Sequence, residues 1–441
     1  MKKITQTAIL VFIAFGSLFA QQEKGIVGYN NWLNSWTEFK PNKIEYGEPT
    51  QILSGTISEN IKLLKSDIYL LLGDVFVTDS TTLTIEAGTV ILGDFKSKGS
   101  LTISNGSKII AEGTQTDPII FTSSRSSKKP GDWGGLFILG DAPLNTYGNG
   151  SSLNNGLRPA DFNTISYGGE NAESNSGILK YLRIEYAGKK TIDYGNFSAL
   201  TFAGVGNRTV IKNVMVSYSE GDAFNVFGGD TKLEQLVSYK VNQNDYKFNY
   251  GAQSSLYNSL AIRSPYISSS DGSRCLYVSS YDDKESASST KKSTNVIAEN
   301  LTLVNISNDL ESDINVGLVQ EAIFIDKDTS FLIDKSVISG FNPAVLLDGE
   351  IKINNENLQK IQFQRTYFNN CNGNIFVKGY TNNDDLESWY GSRSFNNVYS
   401  KGPDFQTFID VQSSRNPDFR LRIYGIIASN DFIDDNDGDE D

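Results

Sequence analysis

Histidine is absent from all 441 residues. Its absence removes Ser-His-Asp and Cys-His nucleophiles, an imidazole general base, and histidine-ligated zinc or iron. Cysteine is nearly as scarce, with only Cys275 and Cys371. A thiolate metal site is therefore out of reach, and so is a disulfide framework. The pair is compatible with one bridge or with two separately buried thiols. Excess positive charge is missing as well: the formal net charge is −13, and such a surface repels nucleic acid and anionic lipid. Beyond the first twenty residues no apolar run approaches the ~20 residues that span a bilayer. No long stretch there keeps a 3.6-residue period either. Any chemistry must come from carboxylates, Lys, Arg, Tyr or an oxygen-bound Ca²⁺.

What is present suits strands and turns. Gly (39), Tyr (21) and Phe (25) are plentiful, and β-branched and aromatic runs alternate with Gly, Asn and Ser clusters. The stretch 177–251 holds three versions of one phrase: Tyr181-Leu-Arg-Ile-Glu-Tyr186, Val214-Met-Val-Ser-Tyr218 and Leu236-Val-Ser-Tyr239. Ile211 recurs as Leu233 and Val214 as Leu236. A period in the twenties is too short for a βαβ unit but fits one coil of a solenoid, whose strands stack on the coil before. The expectation is an all-β solenoid.

Earlier in the chain, Leu83-Thr-Ile-Glu-Ala-Gly88 is echoed 18 residues later by Leu101-Thr-Ile-Ser-Asn-Gly106. Leu83, Ile85, Leu101 and Ile103 are expected to point inward, and Gly88 and Gly106 to take corners needing a positive φ. Later strands are expected at 256–262, 275–278, 300–304, 322–325, 331–333, 344–347, 361–363 and 375–377. Asn213, Asn258 and Asn300 each precede a strand and suit a corner ladder of hydrogen bonds. Insertions near 145–176, 189–197, 264–273, 282–294 and 379–403 are expected to project from corners; on a shared side they would form one variable face.

The ends differ in character. Residues 1–20 join a short basic start to a brief apolar core and small residues, as a secretory signal peptide does. Cleavage is expected after Ala20, and with no nearby Cys the product is not expected to be a lipoprotein. Residues 21–60 carry Trp32, Trp36 and Phe39 and read as an N-terminal cap over the first open core layer. The solenoid proper is expected over 61–428, and an acidic tail over 429–441. Expected locations are the periplasm, the outer membrane's surface or the cell surface, without membrane insertion.

Asp132-Trp-Gly-Gly-Leu, Tyr167-Gly-Gly-Glu-Asn-Ala-Glu-Ser-Asn-Ser-Gly177, Leu200-Thr-Phe-Ala-Gly-Val-Gly206 and Phe227-Gly-Gly229, with the Tyr181 phrase, resemble a family of exported β-helix proteins common in Bacteroidota. The resemblance covers roughly 83–251 and implies a right-handed parallel β-helix of the cell envelope. It brings no established reaction. The family pattern implies paired acids before Phe-Gly-Gly and an acid-rich run one coil on; here Asp222 and Asp245 alone keep their places.

If Asp222 and Asp245 stood at equivalent corners ~4.8 Å apart, they could serve a retaining glycosidase. With Asn225 they could hold Ca²⁺ as pectate-lyase-like β-helices do, leaving Lys247, Arg183 or Tyr218 as candidate bases. The competing reading has both aspartates accepting hydrogen bonds from turn amides. Tyr186, Tyr218 and Tyr239 form a candidate row for a sugar or protein partner, or pack in the stack with their hydroxyls at the rim. The expectation is a non-catalytic scaffold that binds a surface polysaccharide or an outer-membrane protein, with no cofactor. A polysaccharide lyase or glycoside hydrolase using carboxylates and Ca²⁺ is the alternative.

Overall fold

The computed structural model describes residues 24–153, 156–269, 272–413 and 415–422. The expected signal peptide (1–20) and acidic tail (429–441) lie outside those residues. Three walls of parallel strands climb the molecule, each strand bonded to its counterpart one coil earlier. One turn shows the pattern: Asp230–Glu234 on the first wall, Val237–Tyr239 on the second and Tyr246–Asn249 on the third. The next turn lays Gln253–Tyr257, Leu260–Arg263 and Leu276–Val278 beneath them in register. The architecture is the right-handed parallel β-helix, and the ladder runs from Gln51–Ile57 to Val398–Ser400. Among the described residues no helix is long and apolar enough to cross a membrane.

Side-chain alternation explains why this sequence winds. One residue in two points into the tube, and these form a single continuous core from Leu53 to Tyr390. The repeat of 22 holds, with Ile211 pairing to Leu233. The repeat of 18 does not stack. Leu83 pairs with Ile109 and Leu101 with Leu136, so the echo joins two different walls whose corners are built alike. Leu83, Ile85, Leu101 and Ile103 do point inward, and Gly88 and Gly106 have φ of +81° and +86°.

The corner from first to second wall is a single left-handed residue repeated down the stack. Tyr181, Asn213, Gln235, Asn258, Asn300, Lys335 and Arg365 occupy it with φ between +47° and +58°. Asparagine tolerates this conformation better than most residues, which accounts for its recurrence. The expected ladder is only partly there. Asn213 donates to Gln235 at 3.2 Å, whereas Asn258 and Asn300 turn outward to the backbone of Val27 and Gly25. The corner also splits the expected 256–262 strand in two.

Trp36 and Phe39 are buried, but not over the first coil as a cap. Residues 24–50 form a strap along the outside of the second wall, climbing against the chain direction. Gly25 N–H donates to Lys335 O, Ile26 N–H to Thr302 Oγ1 and Val27 N–H to Asn258 Oδ1. Higher up, Trp36 meets Tyr181 edge-on at 5.9 Å and Phe39 meets Tyr239 at 5.0 Å. Outward-facing Met215, Val237, Ile262 and Val304 supply the apolar surface it covers. The hairpin Phe408–Asp410/Asp418–Leu421 lies beside it, and Arg420 donates to Gly28 O at 2.9 Å. The lower end of the tube is closed by helix Asp384–Gly391, whose Tyr390 packs edge-on against Phe363. Both cysteines are buried free thiols.

Candidate functional site

The third wall is the one that insertions surround. Residues 141–153 and 156–176 fold back on its upper part, burying Leu144, Leu153 and Ile165 against Phe137, Leu139 and Ala203. The loop after Asp282 is zipped to this insertion, with Ser288 N–H donating to Asn145 O and Lys291 Nζ to Thr146 O. The hairpin at 190–196 closes the other side. Of the five predicted insertions, 145–176, 189–197 and 282–294 thus share one face. Between them lies a groove of 580 Å³.

Thr201, Asn225 and Lys247 follow one another in register on its floor, one per coil. One side is aromatic: Tyr167 stacks on Phe227 at 6.4 Å, and Phe227 meets Tyr250 edge-on at 5.2 Å. Tyr194 stands exposed on the opposite rim. Asp222 Oδ1 accepts from Asn244 N–H (3.0 Å) and Nδ2 (2.8 Å); its Oδ2 accepts from Ser198 Oγ (3.4 Å) and Asn225 Nδ2 (3.5 Å). Asp282 accepts from Asn249 Nδ2 and from the Tyr250 hydroxyl.

Lys247 is half-buried, with Nζ 5.6 Å from the Tyr277 ring centre. Burial pulls its pKa down, but the carboxylates of Asp222 and Asp282 outweigh that and leave it above the usual lysine value. Lys247 is therefore an ammonium, not the general base expected of it. A raised lysine pKa keeps the charge until pH exceeds the ordinary value, so ligand binding that uses Lys247 is expected to be flat from about pH 6 to about pH 9. A titration by isothermal calorimetry checks this; affinity falling across that window would show a neutral lysine. Burial likewise pushes the Tyr167 phenol up to about 12, and burial plus the bond to Asp282 push Tyr250 up.

The proposed Asp222–Asp245 pair does not exist. Phe224 pairs with Tyr246, which sets Asp222 level with Asn244 and Asp245 level with Ala223. That one-residue slip sends the two side chains to opposite sides of the backbone. Asp245 is fully buried in the tube, ion-paired to Arg263 at 2.9 Å and hydrogen-bonded by Ser238. Asp222, Asp245 and Asn225 thus present no common donor set for Ca²⁺, and among the described residues no cluster of three metal-binding side chains occurs.

Arg183 and the tyrosine row lie on the other flank, beneath the strap. Arg183 is buried, 3.2 Å from Glu185, and donates to the Tyr46 hydroxyl at 2.7 Å. Tyr186 and Tyr218 stack at 5.4 Å, and Tyr239 meets Tyr218 edge-on at 5.5 Å. Tyr186 and Tyr218 are left-handed corner residues, while Tyr239 stands one position earlier, before Lys240. Burial raises all three phenols, so Tyr218 is not a base, and Phe39 covers Tyr239 against use as a sugar platform.

The motifs behind the resemblance are architectural. Asp132 accepts from Ser123, Arg125 and the Lys129 amide, fixing the turn into the third wall. A Cβ on Gly134 would lie 2.6 Å from that of Ser100, and one on Gly229 2.3 Å from the Val205 carbonyl. Sequence reasoning found Asp222, Asn225 and Lys247 but missed Tyr167, Phe227, Tyr250 and Asp282. Register on the third wall would have placed Phe227 beside Asn225; Asp282 sits in a non-repeating loop.

A parallel β-helix with one polar, aromatic-sided groove along a wall defines the class. Residues 55–406 match the family described as a pectate-lyase like beta helix domain, and the chain belongs to that family. No curated protein and no solved structure matches it.

Proposed function

We propose that this is an exported cell-envelope protein that holds a saccharide chain in the third-wall groove without cleaving it. The observation that carries the reading is the groove's composition: aromatic rings on one side and hydrogen-bonding groups on the floor. Sugars present apolar C–H faces to rings and hydroxyls to polar groups, and this lining offers both. Lys247 is held as a cation, both Asp222 oxygens already accept hydrogen bonds, and Asp282 accepts one each from Tyr250 and Asn249.

Family membership favours one second reading, a carbohydrate-active enzyme working through Asp222 and Asp282. Incubating the protein with neutral and acidic polysaccharides, with and without Ca²⁺, separates the two. Retention with no new reducing or unsaturated ends is expected; bond cleavage would establish the enzyme instead. Phe227→Ala should weaken retention about tenfold, the loss of one stacking contact. Unchanged retention would remove the groove from the account.

A further inference from the structure

We infer that the groove takes an uncharged saccharide and rejects polyuronates; this rests on the saccharide-binding reading above. The charged side chains lining the groove are Asp222, Asp282 and Lys247, two carboxylates against one ammonium. Lys247 would be the natural partner of a ligand carboxylate. Yet it lies in the field of both aspartates, strongly enough that its pKa is raised despite burial. A uronate reaching Lys247 must enter that same field, and like charges brought together discriminate strongly against a ligand. The chain's formal charge of −13 opposes an anionic polymer at longer range as well.

An uncharged sugar meets none of this repulsion. Among the described residues no hydrogen-bond acceptor or carboxylate lies within bonding distance of Lys247 Nζ, so its N–H donors are available to sugar hydroxyls. Those hydroxyls can in turn donate to the outer lone pairs of Asp282, while Phe227 and Tyr250 face the sugar ring. The lysine thus acts as a neutralised donor, not as an anion receptor.

Polygalacturonate and its fully methyl-esterified form share a backbone and differ in charge, and a neutral β-glucan adds an unrelated uncharged chain. Affinity electrophoresis of the protein in each, at low and high salt, tests the inference without any mutation. The expected result is binding to at least one uncharged polymer about tenfold or more tighter than to the free acid, and insensitive to salt. Asp282→Asn, checked by its melting curve, should narrow that gap. Tighter binding of the free acid, weakening as salt rises, would overturn the charge selection while leaving saccharide binding standing. Retention of none of the three would overturn both.

Discussion

Asp245→Ala is expected to destabilise the protein by about 3–5 kcal/mol, the loss typical of breaking a buried ion pair from one side. Asp245 has no exposed surface and Arg263 is only 4% exposed. Removing the carboxylate leaves a guanidinium inside the tube, held only by the carbonyls of Gln243, Val241 and Arg274. Burial pushes the Asp245 carboxyl up, while Arg263, Ser238 and Cys275 pull it back down. The pair is thus a compensated arrangement, not a large net gain. Two consequences separate it from simple cavity formation. Arg263→Met should be costly on its own, and the double variant Asp245→Leu/Arg263→Met should recover much of the loss. Urea denaturation of the three variants checks this. A loss below about 1 kcal/mol for Asp245→Ala would show that water reaches the pair.

Trp36→Ala should release the strap at a cost of about 3–5 kcal/mol, the range for deleting a buried aromatic side chain. Trp36 is fully buried, between Trp32 at 6.2 Å and Tyr181 at 5.9 Å. The strap's apolar cluster joins the second wall's outer face, the corner residue Tyr181 and the hairpin at 408–421, whereas the tube has its own core. Local opening is therefore expected before the coils unfold. Limited proteolysis should cut the variant within residues 24–50 while the remainder stays resistant. Cleavage identical to the parent protein would mean that the strap is held by its hydrogen bonds, among them those to Asn258, Thr302, Lys335 and Arg420, without Trp36.

The coil was legible because its signal repeats. Inward Leu, Ile and Val recur at every turn, and the three Tyr-ended phrases fall in register or one place from it. The same regularity misled at two points. Corners on different walls are chemically alike, so Leu83 and Leu101 look stacked when they belong to different sides. Asp222 and Asp245 are 23 residues apart where the third wall advances by 22 from Phe224 to Tyr246, and that single residue decides which way each carboxylate points. The groove was half legible. Its floor residues Asn225 and Lys247 belong to the repeat, but its sides come from Tyr167, Tyr194 and Asp282, in loops with no period. The strap left no local trace at all, since aromatic side chains are equally suited to a cap, a ligand platform or a flank.

The strap's bonding also fixes an order of events. Val27 and Ile26 find their partners 231 and 276 residues downstream, at Asn258 and Thr302. Contacts so distant in sequence close late, because the intervening chain must already be wound. A stretch made early is therefore a latch fastened late: a nascent chain that stops short of Thr302 offers no seat for Gly25 and Ile26, so that end of the strap stays unfastened until the later turns are in place.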